Sequence, residues 1–319
     1  MENQIRVSVV MTVYNAANYL SLAIESILNQ TYKNFEFLII DDCSKDDSLQ
    51  IITKYSSVDP RIVVIKNNIN QGVSKSCNYA IKEVAKGDII IRMDSDDIAK
   101  TKRIEVLVDY LDRYPEIVAL GSNADFIDME GEYIFTSKLP LKHDDIIRSL
   151  EKRATFINPT TAFRKNAFLK VGGYYEPIKH YFEDYMLWWQ LSKIGKMEIL
   201  NASLMCYRIV MNSISSKEIS PEYKLLEQKI VKKGFATEEE INFIFKEKSI
   251  KSNPKNSELA YYLILAQKYL IDNYNLPLAK KNLSRARQIN PSSKKLILLT
   301  LISWLPQKMI QLMIKTLKS

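Results

Sequence analysis

The sequence predicts an α/β fold, a Rossmann-like mixed sheet with helices on both faces, followed by a C-terminal all-helical extension. Short apolar runs rich in β-branched residues alternate with helical patterns, which is typical of parallel strands joined by crossover helices. Polar and acidic residues directly follow several of these runs. Beyond residue 216 only helical patterns remain, so we expect a main domain over residues 1–218 and a helical region over residues 219–319.

The first part of the pattern predicts four strands and three intervening helices. The strands span residues 6–13, 35–40, 62–66 and 88–93, and the helices span residues 18–29, 47–55 and 74–84. Ligands of such sheets bind beyond the carboxyl ends of the strands, so the residues after each strand are candidates for a site. The later elements are a helix over residues 102–114, a strand over 117–121, a hairpin segment over 133–137, and an aromatic-rich helix that begins EDYMLWWQL.

The composition limits the class of function. The chain has a net charge of +8, but residues 221–319 hold 18 Lys and Arg against 8 Asp and Glu, so the first 220 residues carry −2. The main domain therefore lacks the basic surface of a nucleic-acid-binding protein. Three widely spaced cysteines without a histidine cluster indicate neither a disulfide framework nor a zinc site and favour a reducing cytosol. No apolar run reaches the length of about 20 residues that a membrane span needs.

Polar motifs follow the first two predicted strands. Residues 12–15 (TVYN) lead from strand one into a helix whose amides can receive an anion. An ordinary strand end with an Asx turn is the alternative. Residues 41–44 (DDCS) end strand two, where a carboxylate can accept an N–H of a base or a ribose hydroxyl. Capping of the next helix by Ser44 and Asp46 explains part of that motif equally well.

The strongest motif is the acidic cluster DSDD at residues 94–97, directly after the run IIIRM. Three carboxylates in four residues repel one another unless a cation neutralises them. Oxygen ligands without a nearby His or Cys select a hard ion, Mg²⁺ or Mn²⁺, which takes its remaining ligands from water and substrate phosphates. A solvated turn is the alternative.

Glu183 and Asp184 open the aromatic-rich helix. Acids in a first turn are stabilised by the helix dipole, so capping explains both residues. The same position leaves a carboxylate beside the predicted mouth of the domain, where it can serve as a general base. We expect Trp188 and Trp189 to pack in the core rather than to bind sugar.

In their order, these stretches resemble family 2 of the nucleotide-sugar glycosyltransferases, which has the glycosyltransferase A-type fold. The matching segments are VSVVMTVYNAANYLSLAIESILNQTYKNFEFLIIDDCSKD, NINQGVSKSCNYAIKEVAKGDIIIRMDSDD, NPTTAFRKNAFLKVGGYYE and FEDYMLWWQL, within residues 5–215. Four motifs with this spacing make the match specific. Cys43 departs from the family pattern, because it replaces the usual glycine of Asp-Asp-Gly-Ser.

The resemblance implies an inverting reaction and assigns its parts. Asp184 matches the catalytic base, and Glu183 would orient it or the acceptor. Asp96 matches the metal ligand of the Asp-x-Asp motif, with Asp94 on ribose or on a metal-bound water. The implied cofactor is Mn²⁺ or Mg²⁺, and the metal would neutralise the departing nucleoside diphosphate.

The resemblance also implies a nucleotide site for a UDP-linked sugar. Tyr14 would stack on uracil, and Asp42 would hydrogen-bond the edge of the base. The residues matched to the nucleotide are Thr12, Tyr14, Asn15, Asp42, Asn70, Gly72, Lys75, Asn78, Asp94 and Ser95.

The implied acceptor is a saccharide or a lipid-linked saccharide in cell-surface polysaccharide synthesis, such as capsule assembly. Two other functions stay open. A non-catalytic scaffold would use the helical tail to bind partners. A sugar nucleotidyltransferase would carry a Gly-, Arg- and Lys-rich phosphate loop near its N-terminus, which the segment VSVVMTVYNAANYL lacks.

The helical region ends in a basic amphipathic segment. Residues 296–305 are apolar and include Trp304, and Pro306 separates them from a last helix. One stripe of that helix holds Lys308, Gln311, Lys315 and Lys318, and the opposite stripe holds Met309, Ile310, Met313, Ile314 and Leu317. Such a segment suits a membrane surface, so we expect a cytoplasmic protein, peripheral on the inner membrane. Docking on the core or on a partner subunit is the alternative.

Overall fold

The computed structural model describes residues 6–179, 181–211, 220–249 and 254–318. Its sheet contains four parallel strands in the order β3-β2-β1-β4, and helices connect them in sequence. The strands are β1 (Val7–Val13), β2 (Phe35–Asp41), β3 (Ile62–Lys66) and β4 (Ile89–Asp94), and the helices are α1 (Ala17–Leu28), α2 (Ser48–Ser56) and α3 (Val73–Tyr79). A π-helix over Ala80–Val84 extends α3. The predicted parallel half of the sheet is confirmed.

Alternate residues of each strand point to opposite faces of the sheet. Both faces are apolar, and helices cover both of them. Val10, Leu38 and Ile90 pack with α3 in one core, whereas Met11 and Ile39 pack with α1 and α2 in another. All five side chains are fully buried. The layered arrangement agrees with the predicted fold class.

Antiparallel strands complete the mixed sheet. They are β5 (Ile98–Ala99), β6 (Ile117–Ile127), β7 (Tyr133–Thr136), β8 (Ala162–Arg164) and β9 (Lys196–Arg208). β8 lies antiparallel to both β4 and β6, and β7 forms the predicted hairpin with β6. β6 is longer than its predicted range of residues 117–121, because its second half pairs with β7. The helices of this part are α4 (Arg103–Arg113), α5 (His143–Leu150), α6 (Lys165–Lys170) and α7 (Glu183–Leu191).

The chain forms two compact units. The C-terminal helices are α8 (Pro221–Lys233), α9 (Glu238–Ser249), α10 (Pro254–Ile271), α11 (Leu276–Ile289), α12 (Lys294–Ile302) and α13 (Gln307–Lys318). The described residues of the first unit are 6–124, 137–179, 181–207 and 220–247, and those of the second are 125–136, 208–211, 248–249 and 254–318.

This division differs from the single boundary expected at residue 218, which itself lies outside the described residues. α8 belongs to the first unit, because Tyr223 packs edge-on against Phe182 with ring centroids 6.2 Å apart. Ile230 of the same helix is buried in the core beside α7. In the second unit, α10 and α11 share a core with Ile134 of the β6–β7 hairpin.

Candidate functional site

The strand register brings three of the sequence motifs to one edge of the sheet. Thr12 of β1 pairs with Asp94 of β4, and Val13 pairs with Asp41 of β2. Residues 12–15, 41–44 and 94–97 therefore lie together at the carboxyl ends of parallel strands. Tyr14 follows β1 at the surface, and 52% of it is exposed, so its ring is accessible for stacking on a planar ligand.

The buried Asp42 carboxylate is occupied by hydrogen bonds from the chain itself. Its Oδ1 accepts from Gln71 N at 2.9 Å, Asn67 Nδ2 at 2.7 Å and Ser76 Oγ at 3.2 Å, and its Oδ2 accepts from Gly72 N at 2.8 Å. A carboxylate has about four acceptor positions. Three of these bonds are to Oδ1, whereas Oδ2 accepts only one, so the contact with a base stays a prediction; the four bonds make Asp42 the residue that shapes the loop after β3.

Asn78 is another residue matched to the nucleotide, and its side-chain amide forms hydrogen bonds within the protein at both ends. Its Nδ2 donates to Tyr174 O at 2.8 Å and to Glu176 Oε1 at 2.9 Å, and its Oδ1 accepts from Tyr174 N at 2.9 Å. The residue is only 3% exposed. Both ends of its amide are bonded within the protein, and the contact of Asn78 with the nucleotide stays a prediction. Asn70 and Lys75 of the same segment are exposed.

The loop after β1 is tied to the loop after β2. Asn15 donates its backbone N–H to Ser44 Oγ at 3.1 Å, and its Oδ1 accepts from Lys45 N at 2.7 Å. The first amides of α1 are also taken, because Ala17 N donates to Asp46 Oδ2 at 3.0 Å. The anion site predicted at the start of α1 is therefore partly filled by the protein's own side chains.

Several residues around this edge adopt left-handed backbone conformations. Asn15, Cys43 and Phe182 have φ of 51°, 66° and 48°, a region that side-chain-bearing residues rarely occupy. Such strain persists only where the surroundings fix it and is frequent at functional sites. Cys43 takes the left-handed conformation that the glycine of the family pattern adopts without strain, so the substitution leaves the turn in place.

The acidic cluster divides into an accessible pair and a buried member. Asp94 and Asp96 are half-buried at the end of β4, whereas Asp97 is 1% exposed. Two fully buried arginines accompany them, and Arg92 Nη2 lies 3.5 Å from Asp94 Oδ1. Burial lowers the pKa of Arg103 to about 10, while the charges of Asp97 and Asp94 act to raise it. The two guanidinium groups therefore supply part of the positive charge that the three neighbouring acids are expected to need.

Arg92 is not among the predicted site residues, although the sequence contains a feature that could have identified it. It is a charged residue inside the apolar run IIIRM, and a buried arginine without a partner is rare. Its Nη1 donates to Val10 O at 3.0 Å, but Nε and Nη2 lack a hydrogen-bond partner among the described residues. The guanidinium is thus a fixed positive charge beneath Asp94.

Glu183 and Asp184, at the start of α7, lie close enough to Asp94 for its charge to act on both carboxyl groups. Burial raises the pKa of Glu183 to about 8, and the Asp184 charge raises it further. Burial also raises the pKa of Asp184 to about 6, against the hydrogen bond from Tyr185 N at 2.7 Å and together with the charge of Asp94. Because the Asp94 charge acts on both acids, the strand-end and helix-start motifs meet in one desolvated site. Trp188, behind them, is fully buried, as predicted.

The donor set fits a hard divalent ion only in part. Asp94 and Asp96 offer carboxylate oxygens, but no group of three His, Cys, Asp or Glu side chains within the described ranges is placed to hold a metal. Two carboxylates suit Mg²⁺ or Mn²⁺ when water and phosphate oxygens complete the coordination. Of the two acids, Asp184 has the pKa, about 6, that leaves it ionised and able to accept a proton at neutral pH, whereas that of Glu183 is about 8.

Comparisons with known proteins give a consistent result. The model of glycosyl transferase family 2 matches residues 8–172. An uncharacterized glycosyltransferase of Haemophilus influenzae is 35% identical over 224 residues, which cover 68% of this chain and 69% of the relative. The O-antigen biosynthesis glycosyltransferase WbnJ of Escherichia coli is 35% identical over 57% of this chain and 70% of its own. The crystal structure of S. aureus TarS 1–349 in complex with UDP-GlcNAc superposes with a TM-score of 0.57 at 19% identity, covering 89% of this chain and 81% of TarS.

Proposed function

The chain belongs to glycosyl transferase family 2, and from this membership we propose that it catalyses the inverting, metal-dependent transfer of a hexose from a nucleotide-diphosphate sugar to an acceptor hydroxyl. The observation that carries the proposal is that Asp184, whose pKa is raised by burial, lies close enough to Asp94 for the Asp94 charge to raise that pKa further. A base and an anchor for the diphosphate are the two functions that this transfer requires.

Asp184 acts as the general base. It takes the proton of the acceptor hydroxyl while that oxygen attacks the anomeric carbon from the face opposite the leaving group. The new C–O bond forms as the bond to the diphosphate breaks, and the nucleoside diphosphate leaves with the electron pair. One displacement therefore inverts the anomeric centre. A pKa of about 6 leaves Asp184 ionised at neutral pH, and the adjacent Glu183 orients it or the acceptor.

The donor lies over the carboxyl edge of the sheet. Asp96 and Asp94 would hold Mn²⁺ or Mg²⁺, which when bound neutralises the charge that develops on the leaving diphosphate. Tyr14 stacks on the base, with Thr12 and Ser95 nearby. The UDP-GlcNAc complex of TarS, which shares the fold, supports UDP as the nucleotide.

Other residues of the predicted nucleotide site lie in or beside the loops after β1, β2 and β3. Asp42 holds the segment that includes Gly72 and Asn70 through four hydrogen bonds, and its Oδ2, which accepts only one of them, hydrogen-bonds the edge of the base. Asn15 locks the loops after β1 and β2 together. Lys75 is exposed beside this segment and provides a cation for the phosphates.

The acceptor is a saccharide or a lipid-linked saccharide of a cell-surface polysaccharide. The name of the relative WbnJ, an O-antigen biosynthesis enzyme, supports this class of acceptor. For a lipid-linked acceptor the enzyme works on the cytoplasmic face of the inner membrane.

The test of the base is UDP release from a panel of UDP-sugars with Mn²⁺, comparing Asp184→Asn with a matched control, Asp144→Asn. Asp144 is the second residue of α5, as Asp184 is of α7, but it is exposed on the surface. Loss of a general base lowers turnover by about 10²-fold or more, so we expect that loss for Asp184→Asn and wild-type turnover for Asp144→Asn.

The same assay, together with a second one on UTP and a sugar 1-phosphate, identifies the alternatives. Wild-type turnover in Asp184→Asn would refute its role as the base. If the wild-type chain neither binds nor turns over any nucleotide sugar, the scaffold function is favoured. Formation of a nucleotide sugar from UTP and a sugar 1-phosphate, with release of pyrophosphate, would identify a nucleotidyltransferase.

A further inference from the structure

Helix α12 is apolar on all sides. Its sequence is KKLILLTLI, and Leu296 and Leu299 are buried in the core that it shares with α10 and α11. A surface helix of a globular protein normally carries polar residues on the side away from the core. α12 has none there beyond its first two lysines, so its outward side differs from an ordinary solvated helix face.

The outer face of α12 consists of Ile297, Leu298, Leu301 and the following Trp304. These side chains are 51%, 56%, 63% and 75% exposed. Residues 297, 301 and 304 are spaced by four and three positions, which places them on one stripe, with Leu298 beside it. A contiguous exposed apolar surface of this kind marks an interaction site on a soluble protein.

Basic residues surround this face. Lys294 and Lys295 are exposed at the start of α12, Lys308 is exposed on α13, and Lys280 Nζ lies 5.0 Å from the centre of the Trp304 ring. Residues 254–318 contain 11 Lys and Arg but only 2 Asp and Glu. A tryptophan flanked by lysines suits the interface between lipid headgroups and acyl chains, and each lysine near an anionic leaflet adds attraction.

We propose that the outer face of α12 binds the surface of an anionic lipid bilayer. A rim of a single charge sign favours a uniformly negative surface over a protein partner, whose charges are mixed. Nine residues of helix extend only about 14 Å, and in the described part of the chain no helix combines the length and apolar character needed to cross a membrane. α12 therefore lies in the plane of the interface with its apolar stripe inserted. The side chains of α13 from Met313 onwards, predicted to be amphipathic, lie outside the described residues.

Membrane binding by α12 would hold the enzyme where a lipid-linked acceptor is found. This purpose rests on the proposed function. The binding itself needs no donor, metal or turnover. We therefore expect Asp184→Asn, which is inactive in the proposed mechanism, to bind vesicles as the wild type does. Failure of the catalytic proposal and failure of the membrane proposal are distinguishable for this reason.

The experiment is sedimentation of the full chain with vesicles of phosphatidylcholine alone or mixed with phosphatidylglycerol. We expect binding to the mixed vesicles that weakens with added salt. Leu301→Gln and Trp304→Ala should each lower the partition coefficient about tenfold, which corresponds to loss of one inserted apolar side chain. Leu225→Gln is the matched control, because Leu225 is 68% exposed on α8 of the first unit.

Trp304 also reports its own surroundings by fluorescence. The emission of the wild type should shift to shorter wavelength on mixed vesicles, and Trp304→Phe should lose that shift while the buried Trp188 is unchanged. Equal vesicle binding by wild type, Leu301→Gln and Trp304→Ala would overturn the proposal, as would no binding at all. A dimer that dissociates in Leu301→Gln would also overturn it, since a second copy would then be the occupant.

Discussion

Glu183 is a carboxyl group that folding places where its charge is disfavoured. Its pKa rises from 4.5 to about 8, first through burial and then through the neighbouring Asp184 charge. In the window between these two values the folded chain binds more protons at this group than the unfolded chain does. Stability therefore falls as the pH rises from 4.5 to 8, which is the opposite of the behaviour of a salt-bridged acid.

Glu183→Gln removes this effect, because glutamine does not ionise. In the presence of EDTA, the melting temperature of the wild type should fall relative to that of Glu183→Gln as the pH is raised through this window. Thermal denaturation followed by circular dichroism measures the difference. Glu222→Gln is the control, since Glu222 is an exposed acid in the first turn of α8. Parallel pH curves for the wild type and Glu183→Gln would contradict the account.

Single residues also mark the limit of sequence reasoning about the site. The positions of Asp94, Asp96 and Asp184 follow from strand ends and a helix start, which local patterns predict. The partner of a polar side chain does not follow from them. Asn78 lies near the nucleotide-site motifs in sequence, yet its amide is bonded to Tyr174 and Glu176 almost 100 residues away.

At the scale of the element, the turn after β2 keeps its shape although Cys43 replaces the glycine of the family motif. Cys43 holds φ of 66°, where a side chain meets the carbonyl oxygen and costs about 1–2 kcal/mol. Glycine has no such penalty, although it gains freedom in the unfolded chain. The turn therefore keeps its shape because the loops around it fix it.

Cys43→Gly should be roughly 0.5–1 kcal/mol more stable than Cys43→Ala, which lacks the thiol but keeps the strain. Both variants lose the contact of Sγ with Asn68 O, so their difference isolates the backbone. Urea unfolding measures the two free energies. Equal stability of the glycine and alanine variants would show that the left-handed conformation carries no strain here.

Elements differ in how far their sequence predicts them. The parallel strands agree with prediction within one or two residues, because buried β-branched runs are a local signal. The two-residue β5 and the second half of β6 are absent from the prediction. β5 exists because it pairs with β9, a strand distant in the sequence that no local pattern encodes. The second half of β6 pairs with β7, the strand that follows it in a hairpin.

At the scale of the whole molecule, the two compact units are not consecutive in the sequence, because each contains segments from several parts of the chain. Residues 125–136 belong to the second unit although they interrupt the first. Tyr269 of α10 donates to Asp128 Oδ2 at 3.2 Å, and Ile134 is buried in the same core. The change to purely helical patterns near residue 216 identifies the extension but not the hairpin that it recruits.

The basic C-terminal region is also predicted only in part from its sequence. Its charge and its apolar run with Trp304 are visible in the sequence, which predicts a membrane-binding segment. Which side of α12 faces outward depends on packing against α10 and α11, and only the structure distinguishes Leu296 and Leu299 from Leu298 and Leu301.

The central claim is that two acids from distant parts of the chain divide the reaction, Asp96 for the metal and diphosphate and Asp184 for the proton. Titration calorimetry of UDP with and without Mn²⁺ tests this division, with Asp109→Ala on the exposed side of α4 as the control. The account predicts that Mn²⁺ strengthens UDP binding equally in the wild type, Asp109→Ala and Asp184→Asn, and has no effect in Asp96→Ala. Mn²⁺-dependent UDP binding that persists in Asp96→Ala, or is lost in Asp184→Asn, would contradict it.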